Sequence, residues 1–424
     1  MCLAKWYQVT LHLHSGHNHS CHHPRTHRIS PGEIAQDPSA LHNTSHKKAQ
    51  RKLMSEGKRP PECQYCWNIE DSGGVSDRIT KSGDPYCAPQ MPRVLATDRE
   101  QLWRQNVNPR HVEISFDYTC NMKCAYCLPS VSSQWHQEIL QHGAYDTATA
   151  KQQIIADRMP LLKRDHNPYV EAWWRWWPDL KKDLHTLRVT GGEPLLSKDC
   201  WRLFDQLRQA PEPNINFEVN SNLNHGKDLM DRLVDSINRL EGKVKEFTLY
   251  GSLDTGIASH TNYVRFGLDH DLYLRNLEHL LKNVKWPIKY ATMATVTNLS
   301  SIGLRPLLEY HLDLADEHRQ HQIMFDTPYL RNPPWMEIRI GRDVTRPYIQ
   351  TAHDYLSDKQ HRNTYEIERM LNFIDNDRLD PARETQVTRD FYRYWSEYDR
   401  RRGTDFCRTF PEFADLYHRS RQMA

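Results

Sequence analysis

Residues 111–129, HVEISFDYTCNMKCAYCLP, decide how the rest of the chain can be interpreted. The alternating apolar residues at the start of this stretch predict a strand, and Cys120, Cys124 and Cys127 follow it within one loop. Three thiolates on a short loop can bind three irons of a [4Fe–4S] cluster and leave the fourth iron open, whereas most cluster loops supply four cysteines. Zinc is the alternative, but structural zinc takes four ligands, and no Cys or His lies just beyond Cys127.

A second motif follows the next predicted strand. The strand TLRVT, residues 186–190, continues directly into Gly191, Gly192 and Glu193. Glycines allow a backbone to approach a ligand closely, and a carboxylate can neutralise an ammonium group. A glycine turn alone is common, so its significance comes from its place one strand after the cysteine loop.

Together the two motifs resemble those of the radical S-adenosylmethionine (SAM) enzymes, including the aromatic Tyr126 just before the third cysteine. The resemblance implies a catalytic [4Fe–4S] cluster on Cys120, Cys124 and Cys127, with SAM at its open iron. It also implies that Gly191, Gly192 and Glu193 hold the methionine amino group of SAM. An electron from a donor such as flavodoxin or ferredoxin would cleave SAM to methionine and a 5′-deoxyadenosyl radical, which removes hydrogen from a substrate.

Short strand patterns alternate with helical stretches through the middle of the chain, which predicts βαβ units and an α/β fold. We expect six strands, at 111–117, 186–190, 215–220, 246–252, 288–296 and 321–327. This order resembles the partial (β/α)6 barrel of radical SAM enzymes, in which chemistry sits at the carboxyl ends of strands. By that resemblance, polar residues at strand ends contact SAM, namely Asn220, Ser221, Ser252 and Asp254, with Arg265 as partner of its carboxylate.

The region before the barrel carries five cysteines, Cys2, Cys21, Cys63, Cys66 and Cys87. It resembles the auxiliary-cluster part of SPASM/twitch-like radical SAM proteins of phage and bacterial genomes. The resemblance implies a second [4Fe–4S] cluster on Cys2, Cys21, Cys63 and Cys66. The sequence departs from that pattern at His22, where a second cysteine is expected. A zinc site on the same four cysteines is the alternative, and Cys87 either replaces Cys2 or is a buried thiol.

Three domains are expected: an auxiliary cluster region at 1–108, the barrel at 109–335 and a helical extension at 336–424. The 424 residues include 56 basic and 54 acidic ones, so no overall charge favours nucleic acid or an anionic membrane. No apolar run reaches the roughly 20 residues of a membrane span, and the N-terminus does not look like a signal peptide. We therefore expect a cytoplasmic protein whose ten cysteines bind metal more than they form disulfides.

The substrate is the least determined feature. The family resemblance favours a peptide or protein, while a nucleoside, RNA or small metabolite remains open. A different interpretation is a noncatalytic zinc protein that binds nucleic acid through its cysteines and a tryptophan platform. The platform would come from YVEAWWRWWPDL, although core packing is the favoured role of its tryptophans. Seven histidines between His12 and His27 indicate either a metal site or, preferably, a solvated surface.

Overall fold

The protein is described here from a computed structural model, which places residues 1–150, 158–160 and 166–424. Within those ranges the chain is mixed α/β, with mostly parallel strand pairing. Its strands are β1 Gln8–His12, β2 His17–His19, β3 His27–Arg28, β4 His111–Ser115, β5 Lys123–Cys124, β6 Thr186–Thr190, β7 Glu212–Ser221, β8 Val244–Ser252, β9 Arg265–Phe266, β10 Lys289–Met293 and β11 Gln322–Asp326.

The helices precede, separate and follow these strands. They are α1 Ala4–Tyr7, α2 Pro31–Gln36, α3 Ser45–Ser55, α4 Gln64–Asp71, α5 Asp77–Thr80, α6 Met91–Ala96, α7 Arg99–Arg104, α8 Ser133–His142, α9 Pro168–Leu180, α10 Lys198–Gln209, α11 Lys227–Asn238, α12 Ala258–Val264, α13 His270–Asn283, α14 Leu304–Glu317, α15 Arg342–Asp358, α16 Thr364–Asn376, α17 Pro381–Arg402, α18 Phe406–Thr409 and α19 Ala414–Met423. None of the described helices is long and apolar enough to cross a membrane.

The chain divides into two compact units. The first comprises the described residues of Met1–Thr119, Ile155–Asn220 and Arg239–Phe247, and the second those of Cys120–Ile154, Ser221–Asn238 and Thr248–Ala424. This division differs from the three domains expected from the sequence, whose boundaries at 108 and 335 stay a prediction.

The first unit is built on parallel strands in the order β7, β6, β4 and β1, and β2 and β3 extend the β1 edge antiparallel. All six strands expected from the sequence are present in the chain, with ends shifted by a few residues. The strand β1 was not expected. It pairs in parallel with β4, from Gln8 opposite His111 to His12 opposite Ser115, so the N-terminal region contributes directly to the sheet.

The two faces of this sheet differ sharply in polarity, because side chains alternate along each strand. One face carries Val112, Ile114, Leu187 and Val189 with their neighbours, all at most 1% exposed, against the helices. The opposite face is polar at every paired position. Its rows across β1, β4, β6 and β7 are Gln8, His111, Thr186 and Asn216, then Thr10, Glu113, Arg188 and Glu218, and finally His12, Ser115 and Thr190.

The second unit has its own parallel pairing, in which residues 248–252 of β8 pair with β10 and β10 pairs with β11. A separate two-stranded ribbon joins β5 to β9. The predicted C-terminal helices are present as α15 to α19, and α17 ends where Gly403 adopts a φ of 66°. An aromatic core, which includes Trp335, Tyr394, Trp395 and Phe410, packs α17, α18 and α19 together, and α16 packs in a separate apolar cluster.

Candidate functional site

The three-cysteine loop lies in the second unit and is fixed by backbone hydrogen bonds. The β5–β9 ribbon places Cys124 opposite Arg265. The Ala125 N–H donates to the Val264 carbonyl at 2.7 Å, and the Cys127 N–H donates to the Cys124 carbonyl at 2.9 Å. Because these bonds hold the backbone on both sides of Cys124, its thiol has a defined position and direction.

Side chains from α8 and α17 hold the same loop. The Trp135 indole donates to the Cys124 carbonyl at 2.8 Å, and the Tyr394 hydroxyl donates to the Ala125 carbonyl at 2.7 Å. Ser133 Oγ accepts from the Cys120 N–H at 3.1 Å. These buried partners satisfy the polar backbone of a loop that would otherwise need water.

The thiols of this loop suit a cluster better than a single metal ion. Burial raises the pKa of Cys124, and burial together with the neighbouring Cys124 and Cys120 raises the pKa of Cys127. A structural zinc ion takes four ligands, and this loop supplies three thiols. A [4Fe–4S] cubane that keeps one iron open takes three thiolates, so the residues present fit such a cluster.

A buried ion pair lies beside the loop, still within the second unit. Arg265 donates to Asp254 through Nε to Oδ2 and through Nη2 to Oδ1, both at 2.9 Å. The Tyr126 hydroxyl donates to Asp254 Oδ2 at 2.8 Å, and the Thr295 N–H donates to Oδ1 at 3.0 Å. The structure therefore places three residues that the sequence assigned to SAM, Tyr126, Asp254 and Arg265, in contact with one another.

The glycine turn lies in the first unit, where it packs against the end of the β4 segment. A Cβ on Gly192 would lie 2.3 Å from the Thr119 carbonyl oxygen and 2.5 Å from that of Tyr118. Gly191 has a φ of 131°, and a Cβ there would lie 2.7 Å from Ser115 Oγ. The absence of a Cβ at these two glycines thus lets the turn pack closely against residues 115–119.

Glu193 completes this turn. Its N–H donates to the Thr119 carbonyl at 2.7 Å, and its carboxylate accepts from the Leu195 N–H at 3.2 Å. The side chain is buried. Because Thr119 immediately precedes Cys120 in the chain, the glycine turn is bonded to the residue from which the cysteine loop departs.

Asn220, Ser221 and Ser252 lie at the ends of strands, as the sequence predicts, but they belong to different units. In the first unit, Asn220 Oδ1 accepts from Arg188 Nε at 2.9 Å, on the polar face of the sheet. In the second, Ser221 Oγ accepts from the Leu223 N–H at 3.0 Å, and Ser252 lies at the end of β8 opposite Met293. Their assignment to SAM stays a prediction.

The four N-terminal cysteines come together in the first unit. Cys2, Cys21, Cys63 and Cys66 line one cavity, which Lys5, Arg78 and Lys81 also line. Burial raises the pKa of both Cys2 and Cys63 to about 11. Thiolates need compensating positive charge, which Lys5, Arg78 and Lys81 can supply beside the one carboxylate among the described lining residues, Asp77.

The N-terminus itself is held beside this cavity. Arg78 pairs with Glu70 at 2.6 Å, stacks on the Trp67 ring and donates through Nη1 to the Met1 carbonyl at 2.8 Å. Cys2 follows directly in the chain. Cys87 and His22 are not among the residues that line the cavity, and Cys87 is fully buried in the adjacent apolar cluster.

The histidine-rich stretch is only in part the solvated surface that the sequence favours. His22 is exposed, whereas His14 and His17 are buried. His14 Nδ1 lies 3.0 Å from Ser115 Oγ, and its ring stacks on Tyr118. In residues 8–14, QVTLHLH, apolar and polar side chains alternate, with Val9, Leu11 and Leu13 as the apolar set. This period of two was the signal that could have revealed the strand β1.

The tryptophans of α9 fill the interior of the first unit. Trp173, Trp176 and Trp177 are at most 3% exposed, and Trp174 stacks on Phe116 while its indole donates to Asp199. Rings buried in this way cannot stack on bases. The favoured core-packing role is therefore confirmed for the three buried rings.

Comparisons with known proteins identify only distant likenesses. No protein-family model matches the chain, and no curated protein matches its sequence. Among solved structures, SuiB of Streptococcus suis bound to S-adenosylmethionine has a TM-score of 0.39 and 15% identity, over 85% of this chain and 72% of SuiB. SuiB bound to the precursor peptide SuiA scores 0.39 at 14% identity, over 85% and 70% of the two chains. A further SuiB structure scores 0.40 at 12% identity, over 91% and 77%. Similarity at this level assigns no family, so the conclusions below rest on the residues of this chain.

Proposed function

We propose that the protein is a radical SAM enzyme. In this proposal Cys120, Cys124 and Cys127 hold a [4Fe–4S] cluster, and the turn of Gly191, Gly192 and Glu193 binds the methionine amino group of SAM. The observation that carries the proposal is the 2.7 Å bond between the Glu193 N–H and the carbonyl of Thr119, the residue before Cys120. The glycine turn is thereby bonded to the residue that immediately precedes Cys120 in the sequence.

When bound, such a cluster delivers one electron to SAM and so provides the radical that removes hydrogen from a substrate. The residues of the chain supply position and environment. The aromatic and backbone partners of the loop keep its thiols in place, and burial of Cys124 together with partial burial of Tyr126 limits access of water. The buried Glu193 carboxylate would accept hydrogen bonds from the ammonium group of SAM, and Asn220, Ser221 and Ser252 are proposed as further SAM contacts.

We further propose that the substrate is a peptide or protein and that its reacting part is hydrophilic. The peptide follows from the family resemblance, and the hydrophilic character follows from the polar face of the first unit's sheet. Sheet faces inside an ordinary barrel are filled with branched apolar side chains. Here the middle row places Arg188 between Glu113 and Glu218, which offers both charges to a polar or charged side chain.

The four-cysteine cavity is proposed to hold an auxiliary [4Fe–4S] cluster. Cys2, Cys21, Cys63 and Cys66 supply a complete ligand set, so no iron would be open to substrate. Its role would be to accept an electron from the substrate or to brace the N-terminal region. Lys81 lines the cavity and also acts on His111 of the polar sheet face, whose pKa is lowered by burial first and then by the charges of Arg188 and Lys81.

Electron paramagnetic resonance (EPR) of the reconstituted, reduced full chain tests the proposed function. Because SAM would bind the open iron directly, adding SAM should change the signal of the reduced cluster. The variant Glu193→Gln keeps an acceptor for the Leu195 N–H but removes the charge. It should retain wild-type iron and need about tenfold more SAM for the same spectral change.

The exposed Glu171 of α9 provides the matched control, and Glu171→Gln should behave as wild type. A wild-type signal that does not respond to SAM would reject the function. A response that is unchanged in Glu193→Gln would reject only the role of the glycine turn.

A further inference from the structure

We propose that Arg265 tunes the reduction potential of the cluster held by the three-cysteine loop, by donating a charge-assisted hydrogen bond to the sulfur of Cys124. This inference rests on the proposed function. It assigns Arg265 a role different from the SAM-carboxylate contact expected from the sequence.

The contact is direct and is set by the fold. Arg265 Nη1 donates to Cys124 Sγ at 3.7 Å, within the range for a hydrogen bond to sulfur. The β5–β9 ribbon pairs Cys124 with Arg265, so the guanidinium reaches the thiol from the facing strand.

The guanidinium is held in place from its other side. Asp254 accepts two hydrogen bonds from Arg265 and is itself fixed by Tyr126 and by the Thr295 N–H. The side chain of Arg265 is 8% exposed and that of Asp254 is 0% exposed. A bidentate pair of this kind fixes the plane of the guanidinium, and with it the direction of Nη1.

The expected consequence follows from charge. One-electron reduction adds a negative charge to a cluster, and a hydrogen bond or cation at a ligand sulfur stabilises that charge. The effect is strong in a buried site, where water screens little. Asp254 offsets part of the positive charge, but its carboxylate lies on the far side of the guanidinium from the sulfur that receives the hydrogen bond. Arg265 should therefore make the cluster easier to reduce.

Redox titration followed by EPR tests this in the reconstituted full chain, using the part of the signal that responds to SAM to identify the loop cluster. At one applied potential, Arg265→Gln should lower the ratio of reduced to oxidised cluster at least tenfold, which corresponds to 59 mV for one electron. Arg265→Lys keeps the charge but not the planar fork, and should lower the ratio about threefold. The exposed Arg305 is the matched control, and Arg305→Gln should leave the ratio unchanged.

The outcomes separate this inference from the proposed function. A wild-type protein that assembles no SAM-responsive cluster contradicts the proposed function itself. A SAM-responsive cluster whose ratio is the same in Arg265→Gln and wild type overturns the tuning role alone. If Arg265→Gln does not assemble its cluster, Arg265→Lys provides the test. A ratio of reduced to oxidised cluster that is the same in Arg265→Lys and wild type then overturns the tuning role.

Discussion

The two groups of cysteines in this chain are assembled in opposite ways. The loop of the second unit collects three thiols between Cys120 and Cys127, on backbone held by the β5–β9 ribbon. The cavity of the first unit collects four thiols from Cys2 to Cys66, which only the folding of the whole N-terminal region brings together. A local ligand set can be identified by its spacing, whereas a dispersed one depends on the tertiary structure.

Their charged surroundings differ too. Beside the loop, the buried cation Arg265 is fixed by a buried carboxylate, Asp254. The cavity has three cations on its lining, and Lys5 and Arg78 each pair with a glutamate, Glu62 and Glu70 respectively. The loop therefore has a fixed guanidinium at one of its thiols, whereas Arg78 of the cavity lining also binds the carbonyl of Met1.

The largest expected effect concerns independent metal loading. Replacing Cys120, Cys124 and Cys127 together with alanine should remove one cubane, about four irons per chain, and leave about four in the cavity. The Cys63→Ala, Cys66→Ala variant should show the converse loss. Iron and sulfide analysis after anaerobic reconstitution measures both. Loss of all iron from either variant would mean that the two cysteine groups do not load separately.

A second prediction concerns the turn that is bonded to Thr119. Gly192→Ala forces a Cβ against two backbone carbonyls, which cannot move away as a flexible side chain could. We expect a loss of stability of about 3 kcal/mol and weaker SAM binding. Thermal unfolding measures the stability. Gly32→Ala is the control, because its Cβ would meet only Ser30 Oγ at an ordinary 3.6 Å. Equal melting temperatures for the two variants would contradict the close packing of this turn.

The smallest effect concerns pH and the cavity. Hydrogen bonding from Arg78 lowers the pKa of Glu70 to about 2. A lowered pKa in the folded state means that the pair contributes stability above about pH 4.3, the unfolded pKa, and loses it as the pH falls towards 2. Solvent screening keeps the contribution to about 1 kcal/mol.

Thermal unfolding of the metal-free full chain, wild type against Glu70→Gln, measures this contribution. The wild type should melt higher at pH 7, and the difference should shrink towards zero at pH 2.5. A difference that is equal at both pH values would show that the charge of Glu70 does not stabilise the region around Cys2.

Much of the fold could be predicted from periodicity. The six expected strands are present because each is a short apolar run followed by a turn, such as TLRVT before Gly191. The strand β1, QVTLH, was missed because its alternation of apolar and polar residues is short and lies in a histidine-rich stretch. Its pairing with β4, about a hundred residues later, depends on the tertiary structure.

The site shows the same limit. The loop cysteines and the glycine turn have recognisable spacing, so their places could be predicted. The partners of Arg265 could not, because a strand-end arginine has many acceptors available in sequence. Only the β5–β9 pairing determines that Cys124 and Asp254 are the ones it meets. The roles that the resemblance implies for Tyr126, Asp254 and Arg265 stay predictions, and the structure supplies the contacts among these residues.

The central claim is that the three-cysteine loop supports reductive cleavage of SAM, and product analysis tests it most directly. The anaerobically reconstituted full chain is incubated with dithionite and SAM, and 5′-deoxyadenosine and methionine are quantified beside the variant in which Cys120, Cys124 and Cys127 are alanine. We predict both products from the wild type and neither above background from the variant, whose four-cysteine cavity should still be loaded. Equal product formation by the two proteins, or no product from a wild type that carries its full iron content, would contradict the account.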